Sequence, residues 1–95
     1  MSKTLVLETN GIVYMIARQH EIKVTVADNA TWRDVVAALA QAAPKLVGEV
    51  IAKDRRNLLG DFLINVGGTQ TIQDLDTAIG PVEDDTHFVL LSDLC

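Results

Sequence analysis

The chain has 95 residues, enough for one domain built on a single core. It is 48% hydrophobic and 22% charged, the composition of an ordinary globular protein, which excludes a disordered chain. Its 8 basic and 13 acidic residues give a net charge of −5, which argues against nucleic-acid backbone binding and suits a basic partner surface.

No apolar run approaches the roughly 18 to 20 residues of a membrane span, and the start, Met1-Ser2-Lys3-Thr4, lacks the apolar stretch and cleavage site of a secretion signal. The expectation is a cytoplasmic protein associated with neither nucleic acid nor membrane, with residues 1–95 forming one domain. The single cysteine, Cys95, excludes an internal disulfide and a thiolate-rich metal site.

In chain order, Leu5, Leu7, Ile12, Val13, Tyr14, Met15 and Ile16 fall into two apolar runs divided by Asn10-Gly11. Asn-Gly tolerates the positive φ angles of a tight hairpin, so one reading is a hairpin there. The other, which we favour, is a longer strand with an irregularity at Asn10-Gly11 that turns at residues 18–21. Ile22, Val24 and Val26 alternate with Lys23 and Thr25, the period of a strand with one buried face.

Residues 28–30 break that strand, and Thr31 followed by Asp34 predicts a helix start, with a hydroxyl and a carboxylate capping the first turn. Trp32, Val35, Val36, Leu39, Ala42 and Ala43 form one apolar stripe, and Pro44 ends the helix. Residues 46–52 are apolar apart from Gly48 and Glu49 and suggest a short second helix, followed by a polar loop over residues 53–57. Phe62, Ile64 and Val66 alternate as a strand, Gly67-Gly68 supplies a turn, and residues 70–72 return.

Residues 74–85 read as a connection containing at most one helical turn. The last strand begins at His87, with Phe88 and Leu90 on one face and Val89 and Leu91 on the other, which predicts a central strand buried on both sides. Two strands, a capped helix and then two or three strands give an α+β fold: a ubiquitin-like β-grasp with a mixed four- to five-stranded sheet on one main helix. In that order the first and last strands lie side by side and parallel.

Several segments resemble the sulfur-carrier branch of the ubiquitin-like superfamily, the MoaD/ThiS-like family that includes the small subunit of molybdopterin synthase and the thiamine-pathway carrier. Residues 29–39, Asn-Ala-Thr-Trp-Arg-Asp-Val-Val-Ala-Ala-Leu, are similar to its helix start. Residues 62–68 resemble its strand leading into a glycine turn, with Gly67 replacing an asparagine. Residues 75–79, Leu-Asp-Thr-Ala-Ile, resemble its Leu-Asp-Thr-Pro-Leu element, and Glu83-Asp84-Asp85 stands where the family carries Asp-Gly-Asp.

The tail departs from that pattern. The family follows its last strand with a segment ending in Gly-Gly, whereas this sequence ends Ser92-Asp93-Leu94-Cys95. In the family the terminal carboxylate is adenylated and converted to a thiocarboxylate, and glycine lets the backbone thread a narrow channel. A terminal Cys95 is a poor substrate for that step. Three readings stay open: a natural tail continuing as Gly-Gly, a relative without the carrier role, or sulfur carried on Cys95 itself.

The resemblance implies a non-enzymatic protein without cofactors. It would act through its sheet face and the tail residues Ser92, Asp93, Leu94 and Cys95 on a protein partner, either an activating enzyme or a synthase large subunit. The alternatives are a genuine sulfur carrier or a small accessory subunit of an oxidoreductase, the last resting on fold shape alone.

Lys53, Arg55 and Arg56 form a basic cluster able to meet an acidic partner or a nucleotide phosphate, with a solvated loop as the plainer reading. Negative groups around Cys95 disfavour its thiolate, which makes it an incidental exposed thiol. His20 and His87 read as surface polar residues, and they would serve a metal only if the fold united them with acids such as Glu21 or Asp85, so no metal is expected. Trp32 reads as core. The sequence offers no nucleophile triad, catalytic carboxylate pair or phosphate-binding glycine loop.

Overall fold

A computed structural model describes every residue except Met1, Asn10, Asp61, Gly68, Thr69, Pro81, Val82 and residues 93–95. The first strand, β1 (Ser2–Glu8), and the second, β2 (Glu21–Ala27), pair antiparallel from Ser2↔Ala27 to Glu8↔Glu21. Between them runs not strand but a short helix, α1 (Gly11–Ala17).

Both strand-based readings of residues 11–17 are therefore corrected. Val13 and Ala17, four apart, turn inward and are buried, while Ile12 and Met15 stay exposed at 57% and 68%. That is a helical period, and a seven-residue apolar run is too short for its pattern to separate helix from strand. Gly11 opens the helix at φ +52°, where a residue lacking Cβ adapts without strain.

The main helix, α2 (Trp32–Ala42), begins as expected: the Thr31 hydroxyl accepts from the Asp34 amide and the Asp34 carboxylate accepts from the Thr31 amide, closing a capping box. Its inner stripe, Trp32, Val35, Val36, Leu39 and Ala40, is buried. Thr31→Ala should cost about 1 kcal/mol by orphaning a first-turn amide, measured as a lower urea midpoint with unchanged slope.

Pro44 opens a 3₁₀ turn, Pro44–Leu46. The second helix expected over residues 46–52 does not form. Instead the Leu46 carbonyl accepts from the amides of Glu49, Val50 and Ile51, and Ile51 bridges to Val47 and Leu58. Leu46, Val50 and Ile51 are fully buried, so this irregular segment belongs to the core. Gly48, at φ +90°, permits the tight bend that a helix would not contain.

Strands β3 (Phe62–Val66), β4 (Gln70–Ile72) and β5 (Thr86–Ser92) complete a five-stranded sheet in the order β2-β1-β5-β3-β4. Gly67 leaves β3 at φ +61°, and Gly68, the other residue of the expected turn, lies outside the described residues. The first and last strands are adjacent and parallel, Leu5↔Thr86 to Leu7↔Phe88, while β5 runs antiparallel to β3 on its other side. This is the predicted mixed β-grasp sheet.

Leu5, Leu7, Ile22, Val24, Val26, Ile64, Phe88 and Leu90 of the sheet share one buried core with Trp32, Val35, Val36 and Leu39 of α2, and Trp32 packs edge-on to Phe88 with ring centroids 5.9 Å apart. Trp32 is thus core, as its sequence position implied. β5 is central, but the expectation of burial on both faces is corrected. Phe88 and Leu90 are buried, Val89 is only half-buried and Leu91 is 43% exposed, because the main helix packs on the opposite face.

Candidate interaction surface and tail

Strand alternation places Val6 and Glu8, Glu21 and Lys23, Leu63 and Asn65, and His87, Val89 and Leu91 on the sheet face opposite α2. On β5 and β3, Leu91 stands directly opposite Leu63, and Val89 opposite Asn65. Leu63 and Val89 are half-buried beside the exposed Leu91, which makes a short apolar strip flanked by polar residues. An exposed strip of this kind is suited to a partner protein.

The strip leads to the predicted tail. Ser92 is the last residue of β5 and pairs with Phe62, so its backbone belongs to the sheet. Asp93, Leu94 and Cys95 lie outside the described residues.

Lys53, Arg55 and Arg56 sit together on an exposed loop. Asp54 ties that loop down, accepting from the Arg56 amide at 2.9 Å and from Asn57 Nδ2 at 2.7 Å. Arg56 also faces Asp34 at 3.9 Å, so acids of the same face offset part of the cluster's charge.

Arg33, which the sequence did not single out, holds this region together. From α2 its Nε donates to Asp76 at 2.7 Å, and its Nη1 donates to the Arg56 carbonyl at 3.0 Å and Asn57 Oδ1 at 2.6 Å. Its amide donates to the Leu75 carbonyl, and the Trp32 amide to that of Thr77. One side chain thereby joins loops more than 20 residues to its C-terminal side, contacts that no local pattern reveals. A pocket of about 310 Å³, lined by Arg33, Asn57, Phe62, Ile72 and Asp74 among others, opens beside it.

The Arg33 hydrogen bond and charge hold the Asp76 carboxyl below the usual carboxylate range, and Asp76 in turn raises Arg33. Asp54 is lowered chiefly by the Arg56 amide and then by Asn57. Lowered folded values mean that these acids contribute fully above the unfolded carboxylate pKa of about 3.9 and lose that contribution as pH falls through the folded values. Asp76→Asn should therefore lower the urea midpoint at neutral pH and flatten its fall below about pH 4, compared by parallel melts across that range.

The fold does not put the two histidines to one use. His20 stacks on Tyr14, ring centroids 4.8 Å apart, and its carbonyl accepts from Thr9. His87 instead meets Glu8, a residue the sequence reading passed over, with Nδ1 donating to Oε1 at 2.6 Å. Asp85 is placed apart from that pair in role, its amide donating to the Thr4 carbonyl.

A five-stranded mixed sheet wrapped on a capped helix, with first and last strands parallel at its centre, defines a ubiquitin-like β-grasp protein. Among solved structures the chain is similar to SAMP1 from Haloferax volcanii, at 20% identity and TM-score 0.75 over 94% of this chain and 93% of that one. A second structure, H. volcanii small archaeal modifier protein 1, gives 20% identity and 0.74 over 93% and 94%. The solution structure of the H. volcanii HVO 2177 protein gives 19% identity and 0.69 over 99% and 86%. No protein-family model and no curated protein matches the chain. At these identities the likeness establishes the shared fold. Among the described residues, no helix is long and apolar enough to cross a membrane.

Proposed function

We propose that residues 1–95 act as one non-enzymatic β-grasp domain that works by protein contact, through the outer face of its sheet and the tail Ser92, Asp93, Leu94 and Cys95. The observation that carries this reading is the Leu63–Val89–Leu91 strip, which leaves apolar side chains uncovered on the strand that leads into the tail. The partner is an activating enzyme of the adenylating class or a synthase large subunit, and a cytoplasmic setting fits both. Leu91→Asp, on an exposed position, should leave the fold intact and abolish co-elution with such a partner. Co-elution undiminished by that change would count against the sheet face.

A second reading, a sulfur carrier, is supported by the central position of β5, held on both edges by β1 and β3, and by the likeness to proteins named as modifiers. It requires the tail carboxylate to displace pyrophosphate from ATP, giving an acyl-adenylate, from which a hydrosulfide-level sulfur donor displaces AMP to leave a thiocarboxylate. Incubated with an activating enzyme, ATP and a sulfur donor, a carrier gains the mass of one oxygen-for-sulfur exchange. Unchanged intact mass on the chain ending at Cys95 eliminates this reading for that form.

A further inference from the structure

We propose that Glu8, Glu21 and His87 form a divalent-cation site on the outer face of the sheet, of the kind zinc occupies. The three residues come from three neighbouring strands, β1, β2 and β5, and one donor atom from each lies within 4.8 Å of the others. Glu8 and Glu21 are direct partners in the antiparallel pair, so two carboxylates face each other across adjacent strands. Like charges placed so are destabilising, and a dication between them turns that repulsion into attraction.

His87 supplies the third donor and gives the set its nitrogen character. It is already oriented toward Glu8, with Nδ1 and Oε1 2.6 Å apart. When Nδ1 ligates, the ring carries its proton on Nε2. Zinc takes imidazole nitrogen and carboxylate oxygen at about 2.0–2.2 Å in tetrahedral array, which sets donors about 3.4 Å apart. All three side chains are exposed, which leaves their rotamers free to bring donors that lie within 4.8 Å of one another toward that spacing.

Three protein donors leave a fourth position open, the arrangement of a site that takes water or an outside ligand. A cavity of about 180 Å³ lies against it, lined by Glu8, His87, Asn65, Gly67, Phe88 and Val89. The open position therefore has room beside it on the same face as the apolar strip. The sequence names His87 and Glu21 as ligands only if the fold unites them; Glu8 is not legible there because it lies 79 positions from His87 and meets it only through the parallel pairing of the first and last strands.

The test is calorimetric titration of the full chain with zinc chloride, repeated in Cys95→Ser so that the thiol cannot compete. One zinc per chain is expected, with binding weakened by more than about tenfold in His87→Ala and in Glu21→Gln and kept in His20→Ala. Thermal melts give an independent measure. Zinc should raise the melting temperature of the unaltered chain and not of Glu21→Gln, whereas Glu21→Gln without metal should melt higher by relief of the carboxylate repulsion. No zinc binding to the folded chain, or binding unchanged in His87→Ala and Glu21→Gln, or binding lost in His20→Ala, overturns the site.

Discussion

Replacing Phe88 with alanine should cost about 3–5 kcal/mol. Phe88 is 1% exposed at the middle of the sheet, on the strand that pairs with both β1 and β3, and it meets Trp32 edge-to-face from α2. Truncation removes the transfer energy of an aromatic ring and the ring–ring contact, and it leaves a void between two layers that close-packed neighbours fill only in part. Small domains are stable by roughly 5–15 kcal/mol, so a large share of the folded state's margin should disappear. Urea melts followed by Trp32 fluorescence measure the loss, and a loss under about 1 kcal/mol would mean that the helix and sheet do not meet at this ring.

How far this fold was legible follows from where its information lies. Thr31, Asp34 and the stripe from Trp32 to Leu39 form a local pattern longer than two helical turns, and cap and core face appear as the residues dictate. The alternation of Ile22, Val24 and Val26 likewise marks a strand with one buried face, which the sheet order then places at an edge. Residues 11–17 failed because Ile12, Val13, Tyr14, Met15 and Ile16 satisfy neither period over so short a span. What decides the helix is that β1 and β2 already pair along their whole length, which leaves residues 9–20 to cross between them. Leu91 was misread for another reason: apolar type does not say whether a second layer covers the strand's far face.

The proposed interaction surface was legible in part. The tail could be named from the order of elements, but the strip beside it depends on Leu63 facing Leu91, a register set by pairing rather than by either segment alone. The Arg33 contacts and the meeting of Glu8 with His87 lie beyond sequence reading for the same reason. The basic residues Lys53, Arg55 and Arg56 are exposed as expected of a solvated loop, with Asp54 among them as a local anchor.

The second large effect is expected at Leu46, the last residue of the 3₁₀ turn and outside both α-helices and every strand of the sheet. Leu46→Ala should cost about 2–5 kcal/mol. The side chain is fully buried, and its carbonyl gathers three amides that shape the turn carrying Val50 and Ile51 into the core. The substitution keeps that carbonyl, so the loss reports packing alone. A destabilisation within about 0.5 kcal/mol, the range of surface changes, would show residues 46–58 to be a loop laid over the domain instead of part of its core.

The proposed contact with a protein partner runs through the sheet face opposite α2 and the tail. It is tested most directly by recording amide resonances of the isotope-labelled chain during titration with an activating enzyme of the adenylating class or a synthase large subunit. Changes should concentrate at Leu63, Asn65, Val89, Leu91 and residues 92–95, with the groove between β2 and α2 around Ala37 and Ala38 unaffected. Changes confined to that groove or to the loop of Lys53, Arg55 and Arg56 would contradict it.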